Sequence, residues 1–201
     1  MMKNLTSFLF ATAALVVIGV GCSRLTLPGK VDLFEGDNAA KAAAMIKEKV
    51  GAEVKVIRAE IRKDEMEITI QSPKNPKDID KYEFKNGTVS GPEPVQVISM
   101  GDLTMTGDKY QTTNIDEIGW TAIPATIKEA IALSELENAE VDLVSMAYEH
   151  PTHTTPKVEG ERTKPLNQVT LVFTWRLFVQ APSGRKDFWA DKNGKLNPKS
   201  F

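Results

Sequence analysis

Three groups of residues carry side chains capable of chemistry. The first is Cys22, the only cysteine in the 201-residue chain, which ends an apolar run. Its thiolate is a nucleophile, and with no second cysteine it has no disulfide partner within the chain. The second is Glu149-His150-Pro151-Thr152-His153, which holds both histidines of the chain. Two imidazoles and a carboxylate are ligand types for zinc or copper. Pro151, however, breaks any helix that could align the rings, and no third firm ligand stands nearby. The third group is the acidic pairs Asp64/Glu65, Asp78/Asp80, Asp116/Glu117 and Glu159/Glu161. Paired carboxylates perform acid–base catalysis when a cleft separates their pKa values. These pairs sit among turn residues and lysines, which favours solvated surface. No serine lies in a Gly-x-Ser-x-Gly elbow. Gly101, Gly107 and Gly119 are not followed by Gly-Lys-Ser/Thr, so no phosphate loop and no cofactor is implied.

The segment in front of Cys22 combines Lys3, an apolar stretch from Leu5 to Val20 and small residues at Gly19 and Gly21. Those are the parts of a cleaved secretory signal. The stretch is shorter than the roughly 20 apolar residues of a membrane span. Gly19-Val20-Gly21-Cys22 resembles the lipobox of bacterial lipoproteins. That resemblance implies that 1–21 is removed and that Cys22 becomes the N-terminus, with diacylglycerol on its sulfur and a fatty acid such as palmitate on its amine. Two or more chains anchor a protein stably where one does not. Ser23 implies the periplasmic face of the outer membrane in a Gram-negative host. Lipoboxes prefer Leu where this chain has Gly19, with Ile18 one position early. Ordinary signal peptidase reads the same two glycines and would leave a plain secreted protein.

Composition limits the partners. Removing Lys3 with the signal leaves 24 basic against 27 acidic residues, a net charge of −3. A nucleic-acid partner calls for a basic face, so none is expected. The hydrophobic fraction of 41% and charged fraction of 26% are those of a globular domain.

Elements follow from periodicity. Residues 22–36 read as a lipid-anchored tether, with a short strand possible at Val31–Phe34. Asp37-Asn38 offers an N-cap for a helix over Ala39–Val50, with Gly51 at C′. Ala39, Ala42, Ala43, Ile46 and Val50 share one helical face. A strand over Glu53–Ile61 loses its alternation near Ile57-Arg58, which suggests a bulge. After a turn at Arg62–Glu65, Met66, Ile68 and Ile70 alternate with polar residues as in a half-buried strand. A third strand holds Tyr82 and Phe84, and Asn86-Gly87 is a hairpin turn. Val89 begins the return, which Pro92 and Pro94 break. Val95–Met100 could pair as a strand. Trp120 serves as a core plug ahead of a second helix, from Pro124 to about Leu136, with Ile123, Ile127, Ala130, Ile131 and Ser134 inward. Strands follow at Glu140–Tyr148, Val169–Val179 and around Phe188 and Ala190, with a polar loop over 149–168. Trp175 and Trp189 read as core or inter-strand aromatics.

The order helix, long strand, long strand, short strand, Asn-Gly turn thus occurs twice, in units 37–98 and 121–201 joined by a connector over 99–120. Tyr82-Glu83-Phe84-Lys85-Asn86-Gly87-Thr88-Val89 aligns with Phe188-Trp189-Ala190-Asp191-Lys192-Asn193-Gly194-Lys195-Leu196. The expected fold class is α+β, two similar helix-plus-antiparallel-sheet units packed together behind a cleaved signal peptide. This plan resembles the PepSY family and the tandem modules of β-lactamase-inhibitor-like proteins. Ala190-Asp191-Lys192-Asn193-Gly194-Lys195-Leu196 is similar to the closing strand and turn of a PepSY unit. The resemblance implies a non-enzymatic envelope module that binds a protein partner through a sheet face, the 149–168 loop or the seam between units. The alternatives are a secreted hydrolase or a metal-binding envelope protein using Glu149, His150 and His153.

Overall fold

The computed structural model describes residues 29–51, 53–96, 99–100, 103–149 and 171–197. The expected signal 1–21, Cys22, and the expected loop beyond Glu149, with His150 and His153, lie outside them. The elements in chain order are α1 (Asn38–Val50), β1 (Lys55–Ile61), β2 (Glu65–Gln71), β3 (Ile79–Lys85), β4 (Thr88–Pro94), β5 (Ser99–Met100), β6 (Leu103–Thr104), β7 (Thr113–Asn114), α2 (Ile123–Ser134), β8 (Glu140–Glu149), β9 (Val172–Ala181) and β10 (Gly184–Asp191). Strands β10, β9, β8, β1, β2, β3 and β4 lie side by side in that order, and β7 adds to the end of β1. Every pairing is antiparallel. With its two helices the protein belongs to the α+β class.

Side chains alternate across a strand, so each strand sends every second residue to one face. In register across the sheet, Phe188, Leu177, Val144, Ile61, Met66, Phe84 and Val89 form one apolar row spanning all seven neighbouring strands. The first six of these are buried. Both helices cover this face. Ala39, Ala42, Ala43 and Ile46 of α1 and Ile123, Ile127 and Ala130 of α2 join the strands in one hydrophobic cluster. Burying a Leu, Ile or Phe side chain is worth about 2 kcal/mol, so this single core is the main stabilising term. Trp175 lies fully buried within it. The bulge suggested in β1 occurs where the register with β2 slips between Val56 and Arg58. Asn86 (φ 51°) and Gly87 (φ 76°) are both left-handed, as a two-residue hairpin matched to strand twist requires.

Four local expectations change. Asp37 does not cap α1 with its side chain. Its φ of −108° and ψ of 17° lie outside the extended region a cap uses, and its carboxylate pairs instead with Lys41 at 2.7 Å. β4 runs through both prolines to Pro94, although its pairing with β3 slips in register between Lys81 and Glu83; β4 is an edge strand, where proline is tolerated. Residues 31–36 make turns rather than a strand, and they dock: Leu33 is fully buried and its N–H donates to Lys63 O at 2.7 Å. The last strand but one starts at Val172, with Leu171 ahead of it and Val169 outside the described residues.

The connector is tied down at both sides. Trp120 is buried and its indole N–H donates to Ile115 O at 2.8 Å. Lys47 of α1 reaches Asp116 at 2.5 Å, and Lys192, in the turn after β10, reaches Glu117 at 3.1 Å. That same turn sets Gly194 at φ +84°, where an added Cβ would lie 2.6 Å from Thr126 Oγ1 and 2.8 Å from Trp175 Cζ3. Gly51 has a similar φ of +69° but open space around it. Gly51→Ala should therefore cost only the left-handed strain, about 1 kcal/mol. Gly194→Ala should add an overpacking penalty and cost about 3 kcal/mol. Urea denaturation of both variants measures the difference; equal losses would place Gly194 outside the core contact described.

Candidate functional site

The face of the sheet opposite the helices is set by the same register. Trp189, Arg176, Ser145, Glu60, Glu67, Glu83 and Ser90 form a row directly behind the apolar one. Its two ends differ in chemistry. Over β1, β2 and β3, three glutamates stand opposite one another, an arrangement that costs free energy unless countered. Counter-charges are present. Arg58 donates to Glu60, Arg62 lies 3.7 Å from Glu60, and Lys81 lies between Glu67 (3.4 Å) and Glu93 (3.0 Å). The hydrogen bond to Glu93 and then the charge of Glu67 hold the Lys81 ammonium above its ordinary range.

Over β9 and β10 the face is aromatic and cationic. The Arg176 guanidinium sits 4.9 Å from the Phe178 ring centre and 5.3 Å from that of Trp189. Its Nε and Nη2 both donate to Asp187 Oδ2, at 3.2 and 2.7 Å. Arg185 stacks on the same Phe178 at 4.3 Å and donates through Nε to Asp187 Oδ1 at 2.9 Å. Cation–π contacts at such sites are worth about 0.5–1 kcal/mol each. Their larger consequence is to hold two flexible side chains in one geometry. The Asp187 side chain is 19% exposed and that of Arg176 38%, so the carboxylate is mostly covered while the cation still reaches solvent. Burial pushes the Asp187 carboxyl up, but hydrogen bonds from Arg185 and Arg176 and their charges outweigh it and hold the group below the usual carboxylate range.

Between the two ends runs β8. It contributes the small residues Ser145 and Ala147, opposite Arg176 and Thr174 on one side and Glu60 and Arg58 on the other. Neighbouring strands lie about 4.8 Å apart, so the long side chains of β9 and β1 stand on both sides of these small residues, and Ser145 is buried between them. Leu143 continues the row opposite Phe178, and Val172 of β9, 44% exposed, faces Glu149 towards the other end of β8. This arrangement is suited to recognition: partly exposed, ion-paired cations beside aromatic rings.

Cys22, His150 and His153 lie outside the described residues. Glu149 ends β8, half-exposed. Among the described residues the acidic pairs are not brought together as catalytic dyads, and Glu159/Glu161 lie outside them. Asp64 lies 3.9 Å from Lys30, Glu65 is 2.6 Å from Lys85, Asp116 and Glu117 hold the connector, and Asp78 accepts from the Asn75 side chain at 3.0 Å. Among the described residues no group of three or more His, Cys, Asp or Glu could hold a metal ion, and no helix is long and apolar enough to cross a membrane. A surface depression of about 400 Å³ is lined by Lys30, Val31, Asp32, Lys63 and Asp64. Its cations are already countered by its own carboxylates, at 3.9 Å for Lys30–Asp64 and 3.3 Å for Lys63–Asp32.

The Arg176–Phe178–Arg185–Asp187–Trp189 cluster was not singled out from the sequence, although two signals mark it. Adjacent Phe188 and Trp189 in a strand must point to opposite faces. Phe178 and Val172 interrupt the polar outer face of β9 formed by Thr174, Arg176 and Gln180. Compared with models of known protein families, with curated proteins and with solved structures, the chain matches none.

The pH dependence follows from the sign of the Asp187 shift. Its folded carboxyl titrates below the unfolded value of about 3.9. The stabilisation is therefore complete above about pH 4 and is lost as pH falls through the lower, folded value. Asp187→Asn should cost about 1–2 kcal/mol at pH 7, and the gap to the parent protein should narrow below pH 4. Urea titrations at pH 7 and pH 3 check this; a gap unchanged at pH 3 would remove the charge as its cause.

Proposed function

We propose that this protein is a lipid-anchored bacterial envelope protein whose folded part is a non-catalytic protein-interaction module. The observation that carries the interaction reading is the arginine–aromatic cluster on the uncovered sheet face. Trp and Arg are enriched among the few interface residues that dominate binding energy. Side chains already held in place lose little entropy when a partner docks. The Cys22 segment supplies the membrane side of the reading. Nine Cα-to-Cα steps separate Cys22 from Val31, which packs against the core. Even fully extended, they reach about 30 Å. A lipidated Cys22 would therefore hold the β1–β2 turn end close to the bilayer, at the outer membrane of a Gram-negative host.

We also propose that residues 37–98 and 121–201 are duplicated units similar to PepSY modules. Each places a helix ahead of hairpin-connected strands, and their first strands, β1 and β8, pair antiparallel. After β10 the turn at Asn193-Gly194 returns Leu196 to bridge Ala190, much as Asn86-Gly87 returns β4 to β3.

Two measurements test the function. Cys22→Ser should release the protein from its membrane, and intact mass of the parent should show an acylated N-terminus at Cys22. Retention of the variant on the same membrane, or an unmodified parent, would overturn the anchor. A photo-crosslinking residue at Val172, on the open face, should capture a discrete protein in the native membrane. The same residue at Leu133, 41% exposed on α2, should not. Equal capture at both positions, or none at Val172, would overturn the interaction face.

A further inference from the structure

We propose that Asn86 is a site of spontaneous deamidation in the folded protein, and that Asn193 is shielded from the same reaction. The chain holds two Asn-Gly pairs, Asn86-Gly87 and Asn193-Gly194, and lysine precedes both. In the reaction the glycine amide nitrogen loses its proton to hydroxide and attacks the asparagine Cγ, forming a C–N bond. The Cγ–Nδ2 bond breaks, and ammonia leaves after taking a proton from water. Water then opens the five-membered succinimide, at Cγ to give aspartate or at the main-chain carbonyl to give isoaspartate. Glycine favours ring closure because no Cβ hinders the approach of its nitrogen. The two pairs differ in whether that nitrogen is available.

Asn86-Gly87 is the tip of the β3–β4 hairpin. Lys85 pairs with Thr88 across it, and Asn86 lies exposed. The Gly87 N–H donates to no group among the described residues. Because β4 is an edge strand, the tip can open without disturbing the central strands. Asn193-Gly194 is held on several sides. The Gly194 N–H donates to Asp191 O at 2.9 Å, and Asp191 Oδ1 accepts from the N–H groups of Asn193 and Lys195 at 2.9 and 3.0 Å. Gly194 is buried, its carbonyl accepts from Thr126 Oγ1 at 2.7 Å, and a Cβ added to Gly119 would lie 2.9 Å from Asn193 Cα. The attacking nitrogen there is already hydrogen-bonded, and the backbone cannot turn it towards Cγ without leaving these contacts. Conversion at Asn86 would add a carboxylate beside the Lys85–Glu65 pair. As isoaspartate it would also lengthen the main chain of a turn whose length sets the hairpin register.

Full-length protein in detergent, aged in mildly alkaline buffer made with heavy-oxygen water, provides the test by peptide mass spectrometry. Asn86 should gain the mass of an amide-to-acid exchange carrying heavy oxygen, with isoaspartate among the products. It should do so about tenfold faster than Asn193, whose attacking amide must first give up a hydrogen bond. In concentrated urea, where neither turn persists, the two rates should agree within about twofold. Asp191→Ala, which removes the two side-chain hydrogen bonds holding the second turn, should speed Asn193 by about threefold and leave Asn86 at the parent's rate. An unreacted Asn86 in the folded protein would overturn the proposal. So would equal rates at the two sites without urea, a difference that persists in urea, or an Asp191→Ala variant that leaves Asn193 unchanged or speeds both sites alike.

Discussion

The β1–β8 ladder is the constraint on which the molecule depends. It is short, pairing Arg58 with Ala147, Ala59 with Met146, Glu60 with Ser145 and Ile61 with Val144. Without it, each half is a helix over three or four strands, and domains of that size bury too little surface to be more than marginal. With it, the apolar row from Phe188 to Val89 crosses the whole sheet, and the two helices cover one shared core. Register at this junction governs both faces, because a slip of one residue would turn every inward side chain outward.

The same ladder sets the chemistry of the open face. Ser145 and Ala147 stand between the cluster around Asp187 and the one around Glu60 only because β8 pairs with β9 on one side and β1 on the other. The pairs around Glu60 are ordinary surface ion pairs, contributing little to stability, while Asp187 is mostly covered by its arginines. Placed on either side of β8, with two arginines held on Phe178 and Arg176 also beside Trp189, they make a charged and aromatic surface. Its proposed role in binding a partner belongs to the assembled sheet rather than to either half.

Much of this was legible in the sequence because it is local or periodic. The alanine-rich stripe of α1, the alternation in Met66, Ile68 and Ile70, the slip at Ile57-Arg58 and the Asn86-Gly87 turn each express a short-range rule. Trp120 as a plug was legible from its place ahead of α2. The N-cap of α1 was misread because Asp37 had Lys41 available as a competing partner. The prolines of β4 were misread because periodicity does not reveal which strand is an edge. Leu33 looked like part of a tether because its burial depends on the β1–β2 turn, 30 residues further along the sequence. The arginine–aromatic cluster draws on β9 and β10, so its composition emerges only with the strand order. Cys22, His150 and His153, the most visible chemistry in the sequence, lie outside the described residues, and the cluster singled out by the fold has no motif.

If the ladder joins the halves into one cooperative body, amides on both sides of it should exchange with solvent only through global unfolding. Native-state hydrogen exchange measures this at Ala59 and Ile61 of β1 and Val144 and Met146 of β8. The account predicts one common opening free energy at these four positions, equal to the unfolding free energy from denaturant titration. A distinctly lower value for β8, β9 and β10 than for β1, β2 and β3 would contradict it, because the halves would then open separately and the shared face would not be a single surface.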